Sequence, residues 1–301
     1  MDTPLVTVNI LSFNRKDDLR ITLQKVFEQD YKNIEVIVVD NASSDGTVEM
    51  VRIEFPSVQL IKMKRNVGIA GWNEGFKAAK GEYILVLDDD SYPEKFTIEI
   101  GLREFLDKSY LGIVSFRIYN VRFNKCETED FQKHPYLFIG CGAMIKREVI
   151  YKIGYYNQDY FIYYHELDYS ARCYNYGYTI NYINNATVIH SQSLKSRGDN
   201  SKDPLTSEYA YYYEFVSYSI FLIQNFYFKH TVKYLSKFLL NRLIICLSYG
   251  YYKKFLLGSV FCLTKFKSLR KSGRILKTDV QIFYRNGNIA FIDRHYFPWF
   301  K

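Results

Sequence analysis

A 301-residue chain that is 48% hydrophobic and 24% charged should fold, and it is long enough for one large domain or a domain with an appendage. Its net charge of +8 is uneven: residues 201–301 hold 16 Lys and Arg against 5 Asp and Glu (+11), leaving 24 against 27 (−3) for residues 1–200, so an anionic partner belongs with the last third. Five scattered cysteines (Cys126, Cys141, Cys173, Cys246, Cys262) form no CxxC pair, which argues against a zinc site or a disulfide framework and suits a reducing compartment.

Val6-Thr7-Val8-Asn9-Ile10-Leu11 is a β-branched run of strand length, followed by the polar loop Ser12-Phe13-Asn14-Arg15. It is too short for a signal-peptide core and lacks a basic segment before it, so no signal peptide is expected. No apolar run of about 18 residues predicts a spanning helix. Leu19, Leu23, Val26 and Phe27 then fall at helical spacing. The apolar stretch 34–39 ends at Asp40-Asn41, and Ser44-Asp45-Gly46-Thr47 opens a second helix through Val48, Val51 and Ile53. Residues 58–63 are a third strand. The βαβαβ order predicts a parallel, twisted sheet covered on both faces, with ligands beyond the carboxyl ends of its strands. Asp40 reads either as a solvated turn or as an acceptor for a base ring or ribose.

Residues 65–75 are rich in small side chains, and the strand at 83–87 ends in Asp88-Asp89-Asp90. Three adjacent carboxylates repel one another unless a cation sits on them. At the end of a buried strand, that cation suits a divalent metal carrying a phosphorylated ligand. Asp40 and the triplet should share one crevice. Ser91-Tyr92-Pro93-Glu94 has the form of a capping box for a helix running to about Asp107. Residues 111–119 read as a strand and 120–136 as a polar loop. Within 138–145, Gly140-Cys141-Gly142-Ala143 marks close backbone approach to a ligand or to a neighbouring strand.

The stretch 161–172 delivers Glu166 and Asp168 into the first turn of a helix that Gly177 stops. Acids there complement the helix dipole or do chemistry. Residues 179–183 and 186–189 read as two short strands, the second ending at His190, a structural residue or a ligand. Residues 191–203 read as a mobile polar loop. Beyond it, Leu235, Phe238, Leu239, Leu243 and Leu247 recur at helical spacing with Lys233, Lys237 and Arg242 interleaved, and Lys253-Lys254 precede another apolar run. Basic, aromatic-rich amphipathic helices suit an anionic membrane surface; the alternative is a helical subdomain with solvated lysines. No nucleic-acid recognition motif is present.

Four segments together carry a resemblance: residues 6–15, Val38-Val39-Asp40-Asn41-Ala42-Ser43-Ser44-Asp45-Gly46-Thr47, Asn66-Val67-Gly68 and Asp88-Asp89-Asp90. In this order and spacing they resemble the inverting family 2 glycosyltransferases of GT-A fold, over about residues 4–192. The run 66–75 is similar to the rhamnosyl- and galactofuranosyltransferase branch. The resemblance implies an α/β GT-A domain over 1–204 and a helical, basic, aromatic-rich region over 205–301. It places Ser12, Asn14, Arg15, Asp40 and Asn41 along the nucleotide, and Asn66, Gly68 and Asn73 around the donor pocket. Asp88 and Asp90 would face Mn²⁺ or Mg²⁺, with His190 completing the metal shell, and Asp88 and Asp89 would hold the donor.

The family's Glu-Asp-x-Asp base motif reads His165-Glu166-Leu167-Asp168 here, which leaves Glu166 and Asp168 as alternative bases, with Arg172 steadying the acids. Where that branch often has an Arg-Asn pair, Tyr211-Tyr212-Tyr213 is followed by Glu214-Phe215-Val216. The implied enzyme is a hexosyl- or rhamnosyltransferase using a UDP- or dTDP-linked donor and a glycan or lipid-linked acceptor. Its implied place is cytoplasmic, peripheral on the inner face of the cell membrane. A non-catalytic nucleotide-sugar-binding scaffold is the alternative, and a nucleotidyltransferase would want a glycine in Ser12-Phe13-Asn14-Arg15.

Overall fold

The parallel start of the chain follows from strands that are buried on both faces. In a computed structural model, which describes residues 3–106, 108–131, 135–191 and 207–285, β1 (Val6–Ser12) pairs in parallel with β2 (Ile34–Asp40) and β4 (Tyr83–Asp88). β3 (Gln59–Lys62) extends β2. Helix α1 (Lys16–Phe27) buries Leu19, Leu23 and Val26 in the main core with Val6, Val8 and Ile10. Helix α2 (Thr47–Glu54) adds Met50 and Val51 to that layer. On the other face, a 3-10 turn at Gly68–Gly71 runs into α3 (Trp72–Ala78), which lies directly on β1. A Cβ at Gly75 would stand 1.9 Å from Asn9 Oδ1, so only glycine lets the helix approach this closely.

Two expected elements come out differently. Residues 91–94 open no helix: β5 (Ser91–Pro93) pairs antiparallel with the end of β9 (Thr179–His190). The hydroxyl that was to cap a helix instead accepts from Asp88 N at 2.9 Å. Pro93 is tolerated because β5 is the edge strand. The helix starts later, as α4 (Thr97–Glu104), after Phe96 turns the chain at φ 63°. The two short strands expected between 179 and 189 are one strand, β9, parallel to β6 (Leu111–Asn120). Its register jumps from Phe116–Ile183 to Arg117–Thr187, so the exposed Asn184 and Asn185 bulge outward and split the apolar pattern.

The sheet continues from β4 through β8 (Ala143–Lys146) to β6 and β9, with both β8 pairings antiparallel. Inside the expected loop, β7 (Lys125–Cys126) folds back on β6. Gly142 is explained by a neighbouring strand: its Cβ would come within 3.2 Å of Ile118 and Val188. Helix α5 (Arg147–Ile153) follows β8.

The described residues form two compact units. One holds the sheet, with residues up to Tyr156 and from Tyr176 to the end of β9; the other takes residues 157–175 together with the C-terminal helices. In the second unit, α6 (His165–Asn175) accompanies α7 (Glu208–Asn225), which is buried along most of its length. Then come α8 (Phe228–Tyr249), α9 (Tyr252–Ser272) and α10 (Thr278–Phe283). Gly250, at φ +78°, turns α8 into α9. Among the described residues no helix is long and apolar enough to cross a membrane. The expected helix end at Asp107, the polar loop at 192–203 and the 204/205 boundary lie outside the described residues.

Candidate active site

The parallel register brings the sequence-predicted residues of the sheet unit together. Ser12 stands opposite Asp40, and Leu11 opposite Asp88, so three strands end side by side. Ser12 and Asp40 are buried, and Ser12 Oγ and Asp40 Oδ1 have no hydrogen-bond partner among the described residues. Buried polar atoms in a native fold are nearly always paired, so two orphans on adjacent strand ends mark a place for a polar ligand. Asp40 Oδ2 accepts from Ser43 N at 3.1 Å, which fixes the carboxylate.

The surrounding loops are tied to each other. Asn14, at φ 53°, accepts from Ser44 N at 2.8 Å and donates its own N–H to Ser43 Oγ at 2.9 Å. Asn41 Nδ2 donates to Asn66 Oδ1 at 2.8 Å and to Gly68 O at 3.0 Å, while Asn41 Oδ1 accepts from Val67 N. Asn66 Oδ1 also accepts from Gly68 N, which closes the turn into α3. Asn73 is spent differently: both ends of its amide clasp the backbone of Tyr156, at 2.9 and 3.0 Å. Its part in any donor pocket is therefore to hold the 68–75 segment in place.

The aspartate triplet has built-in cations. Arg15 Nη1 reaches Asp89 Oδ1 at 3.1 Å and Asp90 Oδ2 at 2.5 Å. Asp89 Oδ2 accepts from Phe13 N at 3.0 Å. Burial lifts the Asp89 carboxyl to about 7 against the pull of Arg15, and the charges of Asp90 and Asp88 add to the rise. His190 completes the group, with Nε2 3.5 Å from Asp90 Oδ1 and Nδ1 3.1 Å from Glu127 Oε1. Burial disfavours its charge, but Asp90 and Glu127 outweigh that and hold its pKa near about 10.

A family model for glycosyl transferase family 2 matches residues 7–171, more than half of the chain. The chain belongs to this family. A beta-1,3-glucosyltransferase of Escherichia coli, WfaP, named for UDP-Glc and alpha-D-GlcNAc-diphosphoundecaprenol, is 39% identical over 90 residues, 29% of this chain and 36% of that protein. An uncharacterized glycosyltransferase of Rickettsia typhi is 31% identical over 175 residues, 52% of this chain and 54% of its own length. The chain thus spans about a third to a half of these relatives. A mannosyltransferase from Pyrobaculum calidifontis, solved with GDP-Man and Mn²⁺, superposes with a TM-score of 0.58 at 19% identity, covering 98% of this chain and 83% of that one. The fold is GT-A.

In this family 2 member, α6 belongs to the helical unit and separates the two expected acids. Asp168 is fully committed: Oδ2 accepts from Arg172 Nε at 2.9 Å and Oδ1 from Asn225 Nδ2 at 3.1 Å. Glu166 keeps 17% of its side chain exposed and lies 2.9 Å from His165 Nδ1. Two residues of the sheet unit escaped the sequence reading. Glu127 orients His190 and is bonded by Asn120 Nδ2. Burial pushes its carboxyl up, but the His190 and Asn120 hydrogen bonds hold it below the usual range. Cys141 shares with Asp88 and His190 a cluster whose ligand atoms all lie within 4.8 Å of one another. The only sequence signal for Cys141 was its place between two glycines; Glu127 had none. Carboxylate, imidazole and thiol at that spacing fit one divalent cation.

Proposed function

We propose that the chain is a metal-assisted, inverting hexosyl- or rhamnosyltransferase. It takes a UDP- or dTDP-linked sugar and glycosylates a hydroxyl of a glycan or lipid-linked acceptor in surface polysaccharide synthesis. The observation that carries this reading is the pair of orphaned atoms, Ser12 Oγ and Asp40 Oδ1, beside three strand-end carboxylates. Asp40 accepts a hydrogen bond from the base or ribose, with Ser12, Asn14 and Arg15 along the nucleotide. The Asn41–Asn66–Gly68 network holds the loop that borders the donor. The WfaP name, with its UDP-linked donor and diphosphoundecaprenol acceptor, supports the substrate class.

Asp88, Asp90 and His190 are the residues that would hold Mn²⁺ or Mg²⁺. Such an ion, when bound, neutralises charge on the departing diphosphate. Glu166 is the base and Asp168 its positioning neighbour, because both Asp168 oxygens are already used. As the acceptor oxygen bonds to the anomeric carbon, its proton passes to Glu166 and the bond to the diphosphate breaks. A single displacement of this kind inverts the anomeric centre.

The helical unit attaches to the inner face of an anionic membrane. Leu240, Leu243, Ile244 and Leu247 form an exposed stripe on α8, and Leu256, Leu257, Val260 and Leu263 form one on α9. Exposed Lys233, Lys237 and Lys253 accompany them, a combination suited to acidic headgroups. The test of the activity is a screen of UDP-, dTDP- and GDP-sugars with Mn²⁺, reading nucleotide diphosphate release with and without a polyprenyl-diphosphate sugar. Acceptor-dependent release with one donor is expected. Donor binding without turnover under every condition would leave only the scaffold.

A further inference from the structure

We infer that Cys141 is a ligand of the metal site, so that this site binds its cation through sulfur as well as through oxygen and nitrogen. The inference rests on the proposed metal dependence and adds to it a residue and a metal preference. Cys141 is buried, and its Sγ falls with a carboxylate oxygen of Asp88 and a ring nitrogen of His190 in a set spanning no more than 4.8 Å. Ligands bound to one ion at about 2.0–2.6 Å stand no farther apart than roughly 5 Å. The segment that carries the thiol is pinned. Gly142 N bonds to Ile139 O at 3.2 Å, Phe116 N bonds to Gly142 O at 3.1 Å, and Gly142 lies against Ile118 and Val188. Gly142 is thereby fixed against Val188, two residues before β9 ends at His190, and it holds the adjoining Cys141 in place.

His190 supplies a second, independent sign. It is 7% exposed, and its Nε2 makes no hydrogen bond among the described residues, with Asp90 Oδ1 3.5 Å away. Its Nδ1 is held by Glu127, the arrangement that orients an imidazole for a ligand on the opposite nitrogen. On binding, the Cys141 S–H proton and the His190 Nε2 proton leave to solvent, and a metal–thiolate and a metal–imidazole bond form in their place. A mixed sulfur, nitrogen and oxygen set favours Mn²⁺ and softer divalent ions over Mg²⁺, which wants an all-oxygen octahedron.

The test is titration of the full chain with Cd²⁺, read as the ultraviolet thiolate-to-cadmium charge-transfer band, beside Mn²⁺ binding read from the spin-resonance signal of the unbound ion. The wild-type chain and Cys126→Ser should show the band at one equivalent. Cys141→Ser, and Cys141→Ala checked by circular dichroism, should lose it and bind Mn²⁺ about tenfold or more weakly. A band that persists without Cys141, or Mn²⁺ binding with no band in the wild type, overturns the ligand assignment alone. A wild-type chain that binds neither ion overturns the metal-dependent reading with it.

Discussion

In the sheet unit, carboxylates crowd at strand ends and share cations: Arg15 serves Asp89 and Asp90, and His190 serves Asp90 and Glu127. In the helical unit each buried acid has its own partner. Asp168 is held by Arg172 and Asn225, and Glu214 by Arg242. Shared cations can be rearranged when a charged ligand arrives, because no single pair must be broken outright. Dedicated pairs in the interior resist change, because removing one member strands the other at low dielectric. On the proposed function, the contrast separates groups that meet a charged ligand from groups that hold the fold.

The largest expected effect tests that division within α6. Glu166→Gln should lower kcat by about 10²- to 10⁴-fold with the donor KM nearly unchanged and the melting temperature unmoved. Asp168→Asn should instead lower the melting temperature, since it leaves the buried Arg172 short of its counter-charge. If Asp168→Asn keeps its stability and loses only turnover, the two roles must be exchanged.

The next effect lies in α7 and α8. Glu214→Leu should cost about 3–5 kcal/mol by denaturant unfolding, because the Arg242 side chain is 0% exposed and cannot shed its charge. Arg242→Met should cost clearly less, because the remaining acid can protonate. Equal losses would show that packing against Tyr211 and Phe238, 5.3 and 5.1 Å from the guanidinium, sets the stability.

A smaller effect depends on pH. Burial raises the Glu214 carboxyl from 4.5 to about 7 despite the pull of Arg242. A folded-state pKa above the unfolded one means that the folded chain binds more protons between these values. This contribution is fully present below about pH 4.5 and is lost as pH rises through about 7, on the order of 3 kcal/mol. The wild-type chain should therefore lose stability relative to Glu214→Gln as pH rises from 4.5 to 7.5; a constant difference between them would refute the assignment. Smallest per residue is the membrane contribution. Lys233→Gln, Lys237→Gln and Lys253→Gln should each weaken binding to phosphatidylserine vesicles by about 1 kcal/mol at low salt. Unchanged binding in the triple variant would make these lysines merely solvated.

Much of the sheet unit was legible because its signals are local. β2 and β4 announce themselves as apolar runs that end at Asp40 and Asp88, so the crevice could be located by counting strand ends. Ser91–Pro93 was misread because its capping pattern is also local, while the partner that overrides it, His190, is about a hundred residues away. Glu127 and Cys141 sit where the chain has no period, and only the pairing of β6, β8 and β9 carries them to His190. Likewise, nothing near Asp168 in sequence foretells Asn225.

That last bond also bears on how the chain is made. Residues 157–175 emerge from the ribosome with the buried Tyr160, Tyr164 and Tyr169 but without α7–α9, the helices of their own unit. At about 5–20 residues per second, Ser272 at the end of α9 follows roughly 5–20 s later. Through that interval the acid-bearing helix waits for partners not yet synthesised, and a holdase bound there would shield the aromatic face until α9 is complete.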